Sequence, residues 1–188
     1  MPKPTFNRNL QFFSKINVLD IVKNHIDTLK DYNVTSYSIF DIFFFFIFPF
    51  LLSVFFVYLQ IRLNKDLVGI LINVFSIFAG LLFNLLILIY DVISKIVKSN
   101  NPNPNVDKLK IDTLEHLYFN ISFEILLSLF IVILLSVSTL FTNSIANLIF
   151  SIFVFSFVIT FSLTLLMVLK RVNKLLSHEI KVQRNSIS

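Results

Sequence analysis

The sequence contains no cysteine and no tryptophan, has only two glycines, and is poor in charge, with 14% Asp, Glu, Lys and Arg among 188 residues. Each shortage excludes something. Without thiols the chain forms no disulfide and no thiolate-bound metal or cluster. Gly69 and Gly80 both lie inside one apolar run, so no glycine-rich loop is present to cradle a phosphate. His25, His116 and His178 are scattered, without HExxH or comparable spacing, and Glu115–His116 is a single adjacent pair. The sequence therefore implies no catalytic residue, no cofactor and no metal. A soluble domain averages about 25% charged residues, far more than this chain offers for a solvated surface.

What is present is apolar side chain: 56% of residues are hydrophobic and the mean hydropathy is +0.82. A helix crosses a bilayer with about 20 apolar residues. Four runs reach that length, at residues 42–61, 67–90, 121–140 and 145–169. They are continuous rather than alternating, which disfavours barrel strands. The expected fold is an all-α integral membrane protein with four transmembrane helices. The first run, IFFFFIFPFLLSVFFVYLQI, is interrupted by Pro49, which removes a backbone donor and predicts a kink.

The cations set an expected orientation. Five precede the first run (Lys3, Arg8, Lys15, Lys23, Lys30) and four lie between the second and third (Lys95, Lys98, Lys108, Lys110). The tail adds Lys170, Arg171, Lys174, Lys181 and Arg184, leaving only Arg62 and Lys65 for the other side. Cytoplasmic loops are the ones rich in Lys and Arg, so both termini are expected in the cytoplasm of a cell whose inner membrane the chain crosses. The same cations account for the net charge of +5 as topology signals and headgroup contacts, without nucleic acid as a partner.

Three regions follow: a cytoplasmic segment at 1–38, a transmembrane domain at 39–170, and a basic cytoplasmic tail at 171–188. In the first, Phe12, Ile16, Leu19, Val22, Ile26 and Leu29 step by three or four, predicting an amphipathic helix that lies on the membrane, packs beneath the bundle or docks a soluble cytoplasmic protein. Ser38 and Asp41 form a candidate cap for the first span. The SNNPNPN cluster breaks the chain between the second and third runs, whose helical spacing continues past the lipid to make a cytoplasmic hairpin at 91–120.

Two polar stripes stand out within the runs. Gly69, Asn73, Ser76, Gly80 and Asn84 step by three or four along the second, and Ser156, Thr160 and Thr164 step by four along the fourth. Small residues let membrane helices approach closely and amides bond between them, so the first stripe reads as a helix–helix seam, within the chain or between subunits, with a pore or substrate path as the alternative. Glu124 is the only charge within a predicted span. Such a residue faces a partner or a cavity. At about 1.5 Å per residue, Asn84, Glu124, Thr160 and Thr164 fall at similar depth. They are expected to meet there as a structural hydrogen-bond knot or as a proton or cation site.

The small-residue helix NVFSIFAGLLFNLLILIYDVISK, running into a charged extension within a four-span layout, resembles small membrane proteins of bacterial anti-phage defence operons, the membrane component of the Kiwa system among them. That resemblance implies a non-enzymatic homo-oligomer that senses infection or disrupts the membrane together with a cytoplasmic partner. The alternative is a small channel or transporter with a polar site around Glu124.

Overall fold

A computed structural model describes residues 18–29, 43–98, 104–141 and 143–187. All regular structure among them is helical. α1 is Val18–Asp27 and α2 is Phe48–Tyr58, the latter preceded by a π-helical turn at Phe43–Ile47. α3 spans Lys65–Lys98, α4 Pro104–Ser138 and α5 Ser144–Ile187. The last three are long and apolar enough to cross a membrane. At about 1.5 Å per residue they measure roughly 50 to 66 Å, well beyond a hydrocarbon layer of about 30 Å.

The first predicted span differs from expectation. Its described part is an apolar helix at Phe43–Tyr58, shorter than a full crossing. Residues 30–42, with the Ser38 and Asp41 cap, lie outside the described residues. Pro49 falls at the start of α2, where a missing N–H breaks no bond in the helix. The five residues before it wind as a wider π turn, so the expected mid-span interruption lies instead where two windings join.

The helix ends are explained by their residues. Asn64 Oδ1 accepts from the Leu67 amide at 2.7 Å, and Asn143 Oδ1 accepts from the Ile145 amide at 3.1 Å, capping the starts of α3 and α5. Pro104, with φ pre-set for a helix, opens α4. The tight link from α2 to α3 places Gln60 at a φ of 65°.

α4 is the central helix. It packs against α1, α3 and α5, while α2 packs on α5. In its apolar window 39% of residues are buried within the fold, against 11% for α3, which is therefore peripheral. α3 meets the bundle through Val68, Phe75, Leu82 and Ile89, a strict seven-residue repeat. That period keeps one stripe turned to a neighbouring helix along its length. Phe161 of α5 receives Phe75 and Phe78 edge-on, with ring centres 5.0 and 5.4 Å away.

Two sets of contacts tie the chain to α5, one near its start and one well along its length. Arg171 Nη2 donates to the Thr28 carbonyl at 2.7 Å. The Leu63 amide donates to Ser151 Oγ at 3.0 Å, and Asn147 Nδ2 donates to the Leu63 carbonyl at 3.2 Å. Along α5, Arg171 and these two residues are separated by some 30 to 36 Å.

Ile131 and Ile133 of α4 separate buried from outward-facing positions, at 0% and 59% exposure. Ile131→Ala is expected to remove about 2–5 kcal/mol of stability and Ile133→Ala no more than about 0.5 kcal/mol. Unfolding in detergent measures both, and equal losses would contradict a central α4.

Candidate functional site

The sequence-predicted site residues divide into two groups. Gly69, Asn73, Ser76, Gly80 and Asn84 are all exposed on α3. At 100° per residue the stripe is centred roughly 150° from the Val68–Ile89 repeat, so it faces away from the bundle. A side chain grown from either glycine would meet nothing within 4 Å. Among the described residues the stripe is thus no seam within the chain, and Asn84 does not join Glu124 as the shared depth implied. Ser156 is half-buried on α5, and Thr160, Thr164 and Glu124 are buried.

Glu124 is fully enclosed between helices. Thr164 is the polar side chain acting on its carboxyl. The Thr164 hydroxyl, however, donates to the Thr160 carbonyl at 3.1 Å, and Thr160 faces the Phe45 carbonyl of the π turn at 3.4 Å. Ser128, one turn further on, donates to the Glu124 backbone carbonyl. Both Glu124 carboxyl oxygens are left without a hydrogen-bond partner.

One turn before Glu124 lies the feature that sequence reading missed. Asn120, also fully buried, receives α1 through its side-chain carbonyl. His25 Nδ1 lies 2.9 Å from Asn120 Oδ1. Thr28 Oγ1 lies 2.7 Å from both that atom and the His25 carbonyl, and its one hydrogen serves the two acceptors. The His25 ring stacks on Phe123 with centroids 3.9 Å apart and planes 2° from parallel. Arg171, closing the group from α5, holds the carbonyl at the negative end of α1.

The buried face of α1 therefore differs from the predicted apolar face. Val22, Ile26 and Leu29 turn inward, but Leu19 is 77% exposed and His25 occupies the most enclosed position. Phe12 and Ile16 lie outside the described residues. A polar partner on α4 reverses the usual preference, because a histidine that finds an acceptor and an aromatic face loses little on burial.

The signal for this site was present in the sequence. Asp112, His116, Asn120, Glu124 and Ser128 place a polar residue at every fourth position of α4. Arg171, expected in a solvated basic tail, is half-buried and turned inward. No known protein family, characterised protein or solved structure matches the chain.

The His25 imidazole is held down to about 4, chiefly by burial and further by the Arg171 cation, against an opposing contribution from its bond to Asn120. Docked His25 thus binds fewer protons than a released, hydrated one with its ordinary value of 6.5. Docking of α1 is at full strength above about pH 6.5 and weakens as pH falls towards 4, by up to about 3 kcal/mol. Deuterium exchange of the amides at residues 22–29, corrected for intrinsic rates, is expected to lose protection between pH 7.5 and 4.5. His25→Phe should abolish that dependence. Unchanged protection in the native chain would show that His25 does not control docking.

Proposed function

We propose that the chain is a self-associating, multi-pass protein of the bacterial inner membrane, acting as a sensor or effector rather than as an enzyme. The observation that carries this is the outward direction of the α3 stripe. Asn73 and Asn84 present amides on a face otherwise bounded by Ile70, Ile77, Leu81 and Leu88, all widely exposed. An amide facing lipid lacks the hydrogen bonds that water would supply. The α3 helix of a second copy supplies them, and Gly69 and Gly80 let the two backbones approach closely. A non-enzymatic role is supported by the hydroxyls of the buried seam. Ser128 and Thr164 each donate to a backbone carbonyl of their own helix, as hydroxyls with a structural task do.

Four crossings, with both termini in the cytoplasm, belong to the same proposal. Support comes from the two bonds to α5, Thr28 to Arg171 and Leu63 to Ser151, which are about 30 Å apart along that helix, a distance a first crossing would span. The cation-poor link at Arg62 and Lys65 then faces outward. The exposed Leu19 on α1 suits a soluble cytoplasmic partner. An anti-phage setting, implied by the layout, completes the proposal; expression of the chain with its neighbouring genes should lower phage plating efficiency at least tenfold.

Because the native chain has no cysteine, single replacements test assembly directly. Gly80→Cys is expected to yield oxidant-induced dimers in membranes, and Leu81→Cys, 100° around the helix, several-fold fewer. Equal yields would remove the α3 contact. Cysteines at Asn103 and Asn143 test orientation with an impermeant thiol reagent on intact cells. Labelling is expected at Asn143 alone, and labelling at Asn103 alone would invert the topology.

A further inference from the structure

Six buried side-chain polar atoms among the described residues have no hydrogen-bond partner, and five of them lie in the α1–α4–α5 seam. They are Arg171 Nη1, His25 Nε2, Asn120 Nδ2 and the two carboxyl oxygens of Glu124; the sixth, Arg62 Nε, is in the loop after α2. Buried polar atoms are satisfied in the great majority of cases, so a cluster of unsatisfied ones calls for a missing partner. Their chemistry is complementary. Arg171 and Asn120 offer hydrogens, Glu124 accepts, and His25 with its hydrogen on Nδ1 accepts at Nε2. Asn120 and Glu124 are one turn apart on α4, a rise of about 6 Å, close to the reach of one bridging water with two hydrogen bonds of about 2.8 Å each.

We propose that this seam binds a short file of water molecules, and that through it Glu124 exchanges protons with the aqueous phase at the α1 end. Buried water settles among neighbouring polar groups, and here His25 bonds Asn120, Arg171 bonds Thr28 beside them, and Glu124 lies one turn along α4. The balance is simple. The Glu124 O–H bond breaks and its proton passes through water to His25 Nε2. Nδ1–H stays on Asn120 Oδ1 while the new Nε2–H bond breaks to the next water of the file, which passes the proton to the aqueous phase; uptake runs in reverse. The Arg171 cation beside His25 makes that imidazolium short-lived, so transfer is slow and suits a sensed state rather than a conducting pore. His116, four residues before Asn120, also feels the Arg171, Asp112 and Glu115 charges, and extends the polar row towards the same end. On α5 the groups facing the seam are Thr160, Thr164 and Arg171; α1 also carries Asp20, Lys23 and Asp27. The titratable groups of α3 (Lys65, Asp66, Tyr90, Asp91, Lys95 and Lys98) are all exposed. This goes beyond self-assembly and stands or falls separately from it.

Infrared spectroscopy of the full chain in liposomes tests the site. Across a pH series, a protonated-carboxyl C=O band that Glu124→Gln removes is expected to titrate with bulk pH. Transfer to D2O should shift that band within minutes in the native chain. Asn120→Leu and His25→Phe should slow the shift at least tenfold, while Leu129→Phe, on the exposed face of α4, leaves it unchanged. A band that never titrates, that resists D2O for hours in the native chain, or that shifts equally fast in folded Asn120→Leu and His25→Phe chains overturns the proposal. Should either of those two variants misfold, the native exchange rate and the other variant decide.

Discussion

In a bilayer the apolar side chains that hold a soluble core together lose much of their force, because lipid tails solvate leucine as well as another leucine does. Helices then stay together through close fit and through polar contacts that lipid cannot replace. In this chain the polar contacts between elements gather in two places, near the start of α5 and where α1 meets Asn120 of α4 and Arg171 of α5. Ser151 and Asn147 grip the backbone of Leu63, and Arg171 grips the last turn of α1. The register of α1 and α2 against α5, and hence the setting of α4 among them, depends on these bonds. The apolar heptad of α3 adds the fifth helix, held by fit alone among the described contacts.

That arrangement divides the polar residues of the interior runs into two populations with different physical demands. Asn120, Glu124, Ser128, Ser151, Thr160 and Thr164 of α4 and α5 are buried in the fold, while Ser136 and Ser162 are exposed and bond the carbonyl four residues back. Asn73, Ser76 and Asn84 of α3 are exposed on the outside of the described bundle. Inner polar groups shape how the chain folds and what it can bind, and outer ones shape what it can stand beside. A bundle with polar groups only inside would be content as a monomer in lipid.

The long helices of this fold were legible because continuous apolar runs of this length have few other solutions. The break before Pro104 was legible from the chemistry of its Asn/Pro cluster. Periodicity showed that Gly69 to Asn84 share a face, but not which way the face points. The heptad at Val68, Phe75, Leu82 and Ile89 held that answer, because the more regular apolar repeat turns inward. Glu124 drew notice as a lone charge, whereas Asn120 and His25 did not, being a neutral residue and one distant in sequence. An expectation that apolar faces are buried faces hid α1's orientation, since its deepest residue is an imidazole. The fixing of Arg171 inward was not legible at all, because a cation after a span ordinarily ends in headgroups.

α5 continues as one helix for 44 residues, roughly 66 Å. With about 30 Å of it in hydrocarbon, some 35 Å stand clear of the lipid. A rod of that kind is a lever whose short arm lies among the other helices. Tilting it by about ten degrees sweeps its far end through roughly 6 Å, more than a full helical turn. Small rearrangements within the bundle are thereby magnified into displacements large enough for another molecule to register.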